Sequence, residues 1–243
     1  MATAALCQLH SSSSSSLCHV SSSSSSSSSS SAAAAASVCG RVSCRAPQPQ
    51  VHLSVSASSP DKTIFQIENS GVIACLRAKS AEVAYEVANA AIAGGISVLE
   101  IVVSTPGVFE VLNQLVKEHP TMALGVGTVL RIEDAKAAVN AGAKFLMSPA
   151  IVKDVMYYIQ NGEVLYIPGT MTPTEILSAC EAGAKIVKIY PVSALGGFQY
   201  ISAIKKPFPH VSMVASQGIN IGSFYSLVLL IILTKIENEC HNL

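Results

Sequence analysis

Ile186-Val187-Lys188-Ile189-Tyr190-Pro191 sets one ammonium in the middle of an apolar run, directly after Ala182-Gly183-Ala184-Lys185. The same Ala-Gly-Ala-Lys tetrapeptide stands at Ala141–Lys144, again where an amphipathic stretch gives way to an apolar one. The recurrence reads as one βα unit used more than once. Working outward, Val72–Leu76, Val98–Val103, Leu124–Val129, Lys144–Met147, Val164–Ile167, Ile186–Tyr190 and Val211–Ala215 all read as short strands. Helices fit between them. Ser80 caps one whose Ala84, Val87, Ala88 and Ala91 share a face and which Gly94-Gly95 ends. Thr172-Pro173-Thr174-Glu175 is a capping box with proline at the first helical position, opening a helix that Gly183 closes. Alternating βα units imply right-handed crossovers and a parallel sheet, closed as a barrel or open and doubly wound. No GxGxxG follows any strand, which disfavours a dinucleotide-binding sheet.

A second charge interrupts a strand in Val98-Leu99-Glu100-Ile101-Val102. Burying an unpaired charge costs several kcal/mol or shifts its protonation, so both anomalies need compensation. Strand alternation puts Val98, Glu100 and Val102 on one face, and Ile186, Lys188 and Tyr190 on one face. With Leu99, Ile101, Val187 and Ile189 towards the helices, both charged groups point into the lumen of a barrel. A lysine desolvated there can exist as the free amine that attacks a ketone, and a neighbouring glutamate can move the protons. A structural ion pair inside a core is the competing reading. In a chain with only 12% charged residues, two mid-strand charges of opposite sign favour function.

These residues sit in a longer series: Gly95 to Thr105, Gly125-Val126-Gly127-Thr128-Val129, Ser148-Pro149, Ile167-Pro168-Gly169-Thr170-Met171-Thr172-Pro173-Thr174-Glu175, and Val187–Pro191 followed by Gly196-Gly197. The series resembles the 2-keto-3-deoxy-6-phosphogluconate / 4-hydroxy-2-oxoglutarate (KDPG/KHG) aldolases from about Thr63 to Asn220. The resemblance implies a (β/α)8 barrel of TIM type, usually a homotrimer, that cleaves a 2-keto acid to pyruvate and an aldehyde with no metal or other cofactor. It implies Lys188 as the Schiff-base lysine and Glu100 as general acid/base. For substrate binding it implies Thr128 at the pyruvate carboxylate, Tyr190 as an aromatic wall, Arg77 at the anionic end, and Pro149 from the Ser148-Pro149 motif.

The chain departs from the family pattern in three places. Ser104 stands where some members carry arginine, leaving carboxylate binding to Arg77 and Thr128. Ser216-Gln217-Gly218 replaces the usual Thr-Gly-Gly of a phosphate loop, so Ser216 and Gly218 remain candidate contacts while the glutamine weakens the case for a phosphorylated substrate. Beyond Asn220 an apolar stretch, Ile221–Thr234, takes the place of two helices and an eighth strand. The expectation is a barrel whose eighth βα unit is missing or replaced, as in a truncated or alternative gene product, with strand edges exposed at the seam. The stretch is shorter than the roughly 20 apolar residues a membrane span needs.

Composition bounds the rest. The 243 residues carry 15 Lys+Arg against 15 Asp+Glu, so no net field favours nucleic acid or an anionic membrane, and a small-molecule partner is expected. The histidines are isolated, and Cys75, Cys180 and Cys240 show no metal or disulfide spacing. Residues 1–60 hold no acid and contain the serine runs Ser11–Ser16 and Ser21–Ser31, with sparse Arg41 and Arg45. That composition reads as a disordered transit peptide addressed to the chloroplast stroma, ahead of a catalytic domain over 61–220 and an atypical tail over 221–243. Two other functions compete. One is a catalytically impaired subunit that binds an acidic metabolite or assembles with a complete paralogue; the other is a barrel enzyme acting on a phosphorylated sugar without a Schiff base.

Overall fold

In a computed structural model of the protein, residues 3–10, 59–160 and 162–219 are described, and all belong to one compact unit. The serine-rich segment 11–58 and the tail 221–243 lie outside the described residues. Strands form where the apolar runs were read, with ends differing by a residue or two: β2 (Val72–Arg77), β3 (Val98–Val102), β4 (Ala123–Gly127), β5 (Phe145–Met147), β6 (Leu165–Ile167), β8 (Ile186–Ile189) and β9 (Ser212–Ala215), while the two-residue β7 (Gly169–Thr170) was not read as a strand. A further strand, β1, spans Thr3–His10.

Together they make one sheet in the order β6-β5-β4-β3-β2-β1-β9-β8-β7. Its two ends, β6 and β7, are consecutive in the chain and separated only by Pro168. The sheet therefore closes on itself: β6 pairs with β5 and β7 with β8, in parallel register. Proline has no N–H to give a ladder, which is why the change of partner falls there, and its carbonyl still accepts from Lys188 N at 2.8 Å. The parallel strands thus curl into a barrel as read from the sequence, but one of them is bent into two.

The eighth place is held by β1. It runs antiparallel to both neighbours, with Ala5 opposite Cys75 and Leu9 opposite Val214. This differs from the reading of residues 1–60 as disordered throughout, and of the seam as exposed. A parallel barrel lacking one strand presents two rows of unpaired N–H and C=O groups, and an extended segment free of proline and acid satisfies both. Composition alone carries no information about such long-range pairing.

Helices alternate with the parallel strands: α2 (Ala81–Ala93), α3 (Val108–Glu118), α4 (Ile132–Asn140), α5 (Lys153–Ile159), α6 (Pro173–Glu181) and α7 (Phe198–Lys205) follow α1 (Ser59–Ser70). Ser80 Oγ accepts from Val83 N at the start of α2, and Thr172 with Glu175 forms the reciprocal capping box of α6. α1 begins just before the expected boundary at residue 61. Its Ile67 is fully buried among Ile73, Val98, Ala123, Phe145 and Ile186, so the helix plugs the N-terminal mouth of the barrel. The helix layer outside forms two separate apolar clusters, one centred on Leu99, Leu112 and Leu146, the other on Val187, Ile189 and Ile201.

Candidate active site

Alternation along β3 and β8 fixes where the two unusual charges point. Val98 packs in the lumen while Leu99 and Ile101 pack against the helices; Ile186 packs in the lumen while Val187 and Ile189 face outward. Glu100 and Lys188, two residues on from Val98 and Ile186, therefore enter the barrel. Lys188 Nζ lies 3.8 Å from Glu100 Oε1, with the side chains 8% and 1% exposed. Neither carboxylate oxygen has a hydrogen-bond partner among the described residues. The pair is a near contact of opposite charges rather than a closed salt bridge, so part of the carboxylate's bonding capacity is open towards the lumen.

Glycines make the room. A Cβ on Gly127 would stand 1.5 Å from Glu100 Oε1, so the glutamate occupies the space that any side chain there would need. On Gly125 it would meet the Phe145 ring at 2.6 Å. On Gly169 it would come within 2.2 Å of the Pro149 carbonyl carbon, and Gly169 is the register partner of Lys188. The loop after β5 therefore lies against the strand beside the lysine. Alternate glycines in Gly125-Val126-Gly127 carried the signal of close approach in the sequence, but not which neighbour approaches.

Other expected residues stand on the same rim, at the C-terminal ends of the strands. Tyr190 is half-buried, its ring centroid 5.6 Å from Lys188 Nζ. Thr128 follows β4 in the left-handed region at φ 60°, and Pro149 is half-buried. Arg77 ends β2 and is exposed. Ser216 is 5% exposed and bridges two strand ends, its N donating to Ile189 O and its carbonyl accepting from Val192 N, both at 3.0 Å. Gly218 has φ +73°, and a Cβ there would strike Ser193 Cβ at 2.3 Å. Gln217, at φ 73°, adopts a conformation that favours glycine. The structure thus joins Lys188, Glu100 and Tyr190 closely, brings Pro149 up through Gly169, and sets Arg77, Thr128, Ser216 and Gly218 around the opening.

A separate cleft of about 320 Å³ lies at the far end of the barrel, between Pro60, Gly162, Leu165 and Lys185, and contains none of these groups. No group of three or more His, Cys, Asp or Glu among the described residues is placed to hold a metal ion, and no described helix is long and apolar enough to cross a membrane.

The family model for KDPG and KHG aldolase matches residues 64–229. The chain belongs to that family. Its relatives include the 2-dehydro-3-deoxy-phosphogluconate aldolase of Treponema pallidum, 35% identical over 167 residues that cover 68% of this chain and 80% of the relative. The KHG/KDPG aldolase of Escherichia coli is 32% identical over 149 residues, 61% of this chain and 70% of that one. Among solved structures, the KDPG aldolase of Legionella pneumophila, with pyruvate captured at low pH as a covalent carbinolamine intermediate, superposes with a TM-score of 0.62 at 31% identity, covering 65% of this chain and 77% of that one. As a member of the KDPG/KHG aldolases the chain is a class I aldolase, a carbon–carbon lyase. Its barrel is the family's fold, with β1 in the place of the last strand.

Proposed function

We propose that this aldolase uses Lys188 as its Schiff-base amine and Glu100 as its proton carrier, cleaving a 4-hydroxy-2-keto acid to pyruvate and an aldehyde. The observation that supports the reading is the buried lumen pair itself: an amine 3.8 Å from a carboxylate whose two oxygens have no hydrogen-bond partner among the described residues. At that distance, in a lumen closed to bulk water, a proton can pass between the substrate held on the amine and the carboxylate.

The chemistry then balances on these two side chains. Lys188 Nζ adds to the substrate's C2 ketone, and protonated Glu100 delivers its proton to the departing hydroxyl, leaving an iminium and water. The resulting carboxylate takes the proton of the C4 hydroxyl. The C3–C4 bond breaks, its electron pair moves into the iminium as an enamine, and the aldehyde departs. Glu100 returns the proton to C3, and hydrolysis releases pyruvate, the free amine and the proton that re-forms the acid. Tyr190, over the amine, and Pro149 flank the C2 centre; Thr128 and Arg77 are placed to receive the carboxylate and the distal anionic end. The sharing of family with enzymes named for both KDPG and KHG supports this substrate class. Gln217 beside Gly218 favours the unphosphorylated hydroxy-oxo-glutarate. The acid-free composition of residues 1–60 supports a plastid address, and the family resemblance supports a homotrimer.

Pyruvate release from 4-hydroxy-2-oxoglutarate and from KDPG tests the reading. The native chain is expected to turn over at least one of them, Lys188→Met neither, and Glu100→Gln at a rate lower by about 10²–10⁴-fold. Full turnover by a folded Lys188→Met chain would overturn the mechanism.

A further inference from the structure

We infer that Tyr166 is a positioning residue for the keto-acid pocket, acting from outside the barrel through the loop 148–152. The inference rests on the reading of Lys188 as the reacting amine. Leu165 and Ile167, its neighbours on β6, pack in the lumen, whereas Tyr166 packs in the outer layer against residues such as Leu146, Val155 and Met156. In those surroundings a phenylalanine would fill the same space, so the hydroxyl calls for a separate explanation. It accepts from Val152 N at 3.1 Å and lies 2.6 Å from Ser148 Oγ, which is itself fully buried and donates to Ala150 O. One proton arrangement satisfies every group: Val152 N–H to the phenol oxygen, phenol O–H to Ser148 Oγ, and Ser148 O–H to Ala150 O. Burial pushes the phenol up from its ordinary value, so it stays a donor across the neutral range.

The relay holds both ends of the segment that carries Pro149. That segment is pressed onto β7, since the Pro149 carbonyl carbon and oxygen stand 2.2 and 2.3 Å from the place of a Cβ on Gly169, the register partner of Lys188. Nothing inside the lumen bonds the loop in this way among the described contacts; its hydrogen bonds run outward to Tyr166 and to Ile167 O, which accepts from Ser148 N at 3.3 Å. A phenol on the helix side of the sheet therefore sets how closely Pro149 bounds the space next to the amine.

Borohydride trapping of pyruvate on the intact chain, measured against pyruvate concentration, separates positioning from bulk stability. Tyr166→Phe is expected to raise the half-saturating pyruvate concentration about tenfold, the factor corresponding to one ordinary buried hydrogen bond, with the trapping rate at saturation changed less than about twofold. Ser148→Ala is expected to act the same way, and the double variant to add little to either. Ile204→Val, in the other outer cluster, serves as a control that lowers the melting temperature without moving half-saturation. Amide exchange at Val152, read without any ligand, is expected to quicken in Tyr166→Phe. Normal trapping with unchanged half-saturation in Tyr166→Phe would overturn this inference alone. Absence of trapping in the native chain would remove the reading of Lys188 and this inference with it.

Discussion

Gly127 contributes to the site by what it lacks. The space of its Cβ is filled by the Glu100 carboxylate at 1.5 Å, and the neighbouring strand residue Gly125 yields its space to Phe145. Gly127→Ala therefore forces either the glutamate or the backbone to move. Overpacking of this kind costs about 1–3 kcal/mol, and a displacement of the carboxylate by about 1 Å is expected to lower pyruvate release roughly a hundredfold. Turnover and melting temperature equal to those of the native chain would show that Glu100 is not held where the structure puts it. At this scale the two charges were legible because strand alternation fixes a direction from sequence alone: Glu100 follows Val98 and Lys188 follows Ile186, and both enter the lumen. The space around them was not legible. That Gly127 faces Glu100, and Gly169 faces Pro149, depends on which strands become neighbours and in what register.

Among the elements, α7 and the turn that follows it show how a titratable group is tied to the barrel. Lys205 is 4% exposed and donates to Pro209 O at 3.1 Å and Val211 O at 2.7 Å, fixing the approach to β9. Burial lowers its folded-state value from 10.5 to about 8, partly opposed by Glu68. Between those two values the unfolded chain binds the proton that the folded chain has lost, so this group makes stability rise with pH from about 8 towards 10.5 and contributes no slope below. Urea unfolding at several pH values is expected to show the native chain gaining on Lys205→Met across that window; a difference independent of pH would contradict the assignment. Local signals were the ones the sequence displayed well at this scale. Ser80, Thr172 and Glu175 act within one helical turn, and their caps form as read. The break of one strand at Pro168, the plug helix α1 and the strand β1 were not legible, because each is decided by partners far along the chain.

For the whole molecule the decisive feature is the seam between β2 and β9, which β1 covers on both sides. β1 lies within the segment proposed as a plastid leader, so cleavage of that leader and closure by β1 exclude one another. Deleting residues 1–14 is expected to lower the melting temperature and to increase light scattering, as two unpaired edges become available to other chains. Unchanged behaviour would show that a different part of the chain closes the barrel. Whichever segment serves, the lumen must keep Lys188 dry and beside Glu100. The most direct test of that claim is to treat the protein with pyruvate and borohydride, digest it, and locate the modified lysine by mass spectrometry. One N-carboxyethyl group on Lys188 is the result expected, with none on Lys205, the other lysine buried among the described residues. An adduct on another lysine, or no adduct at all, would contradict the account.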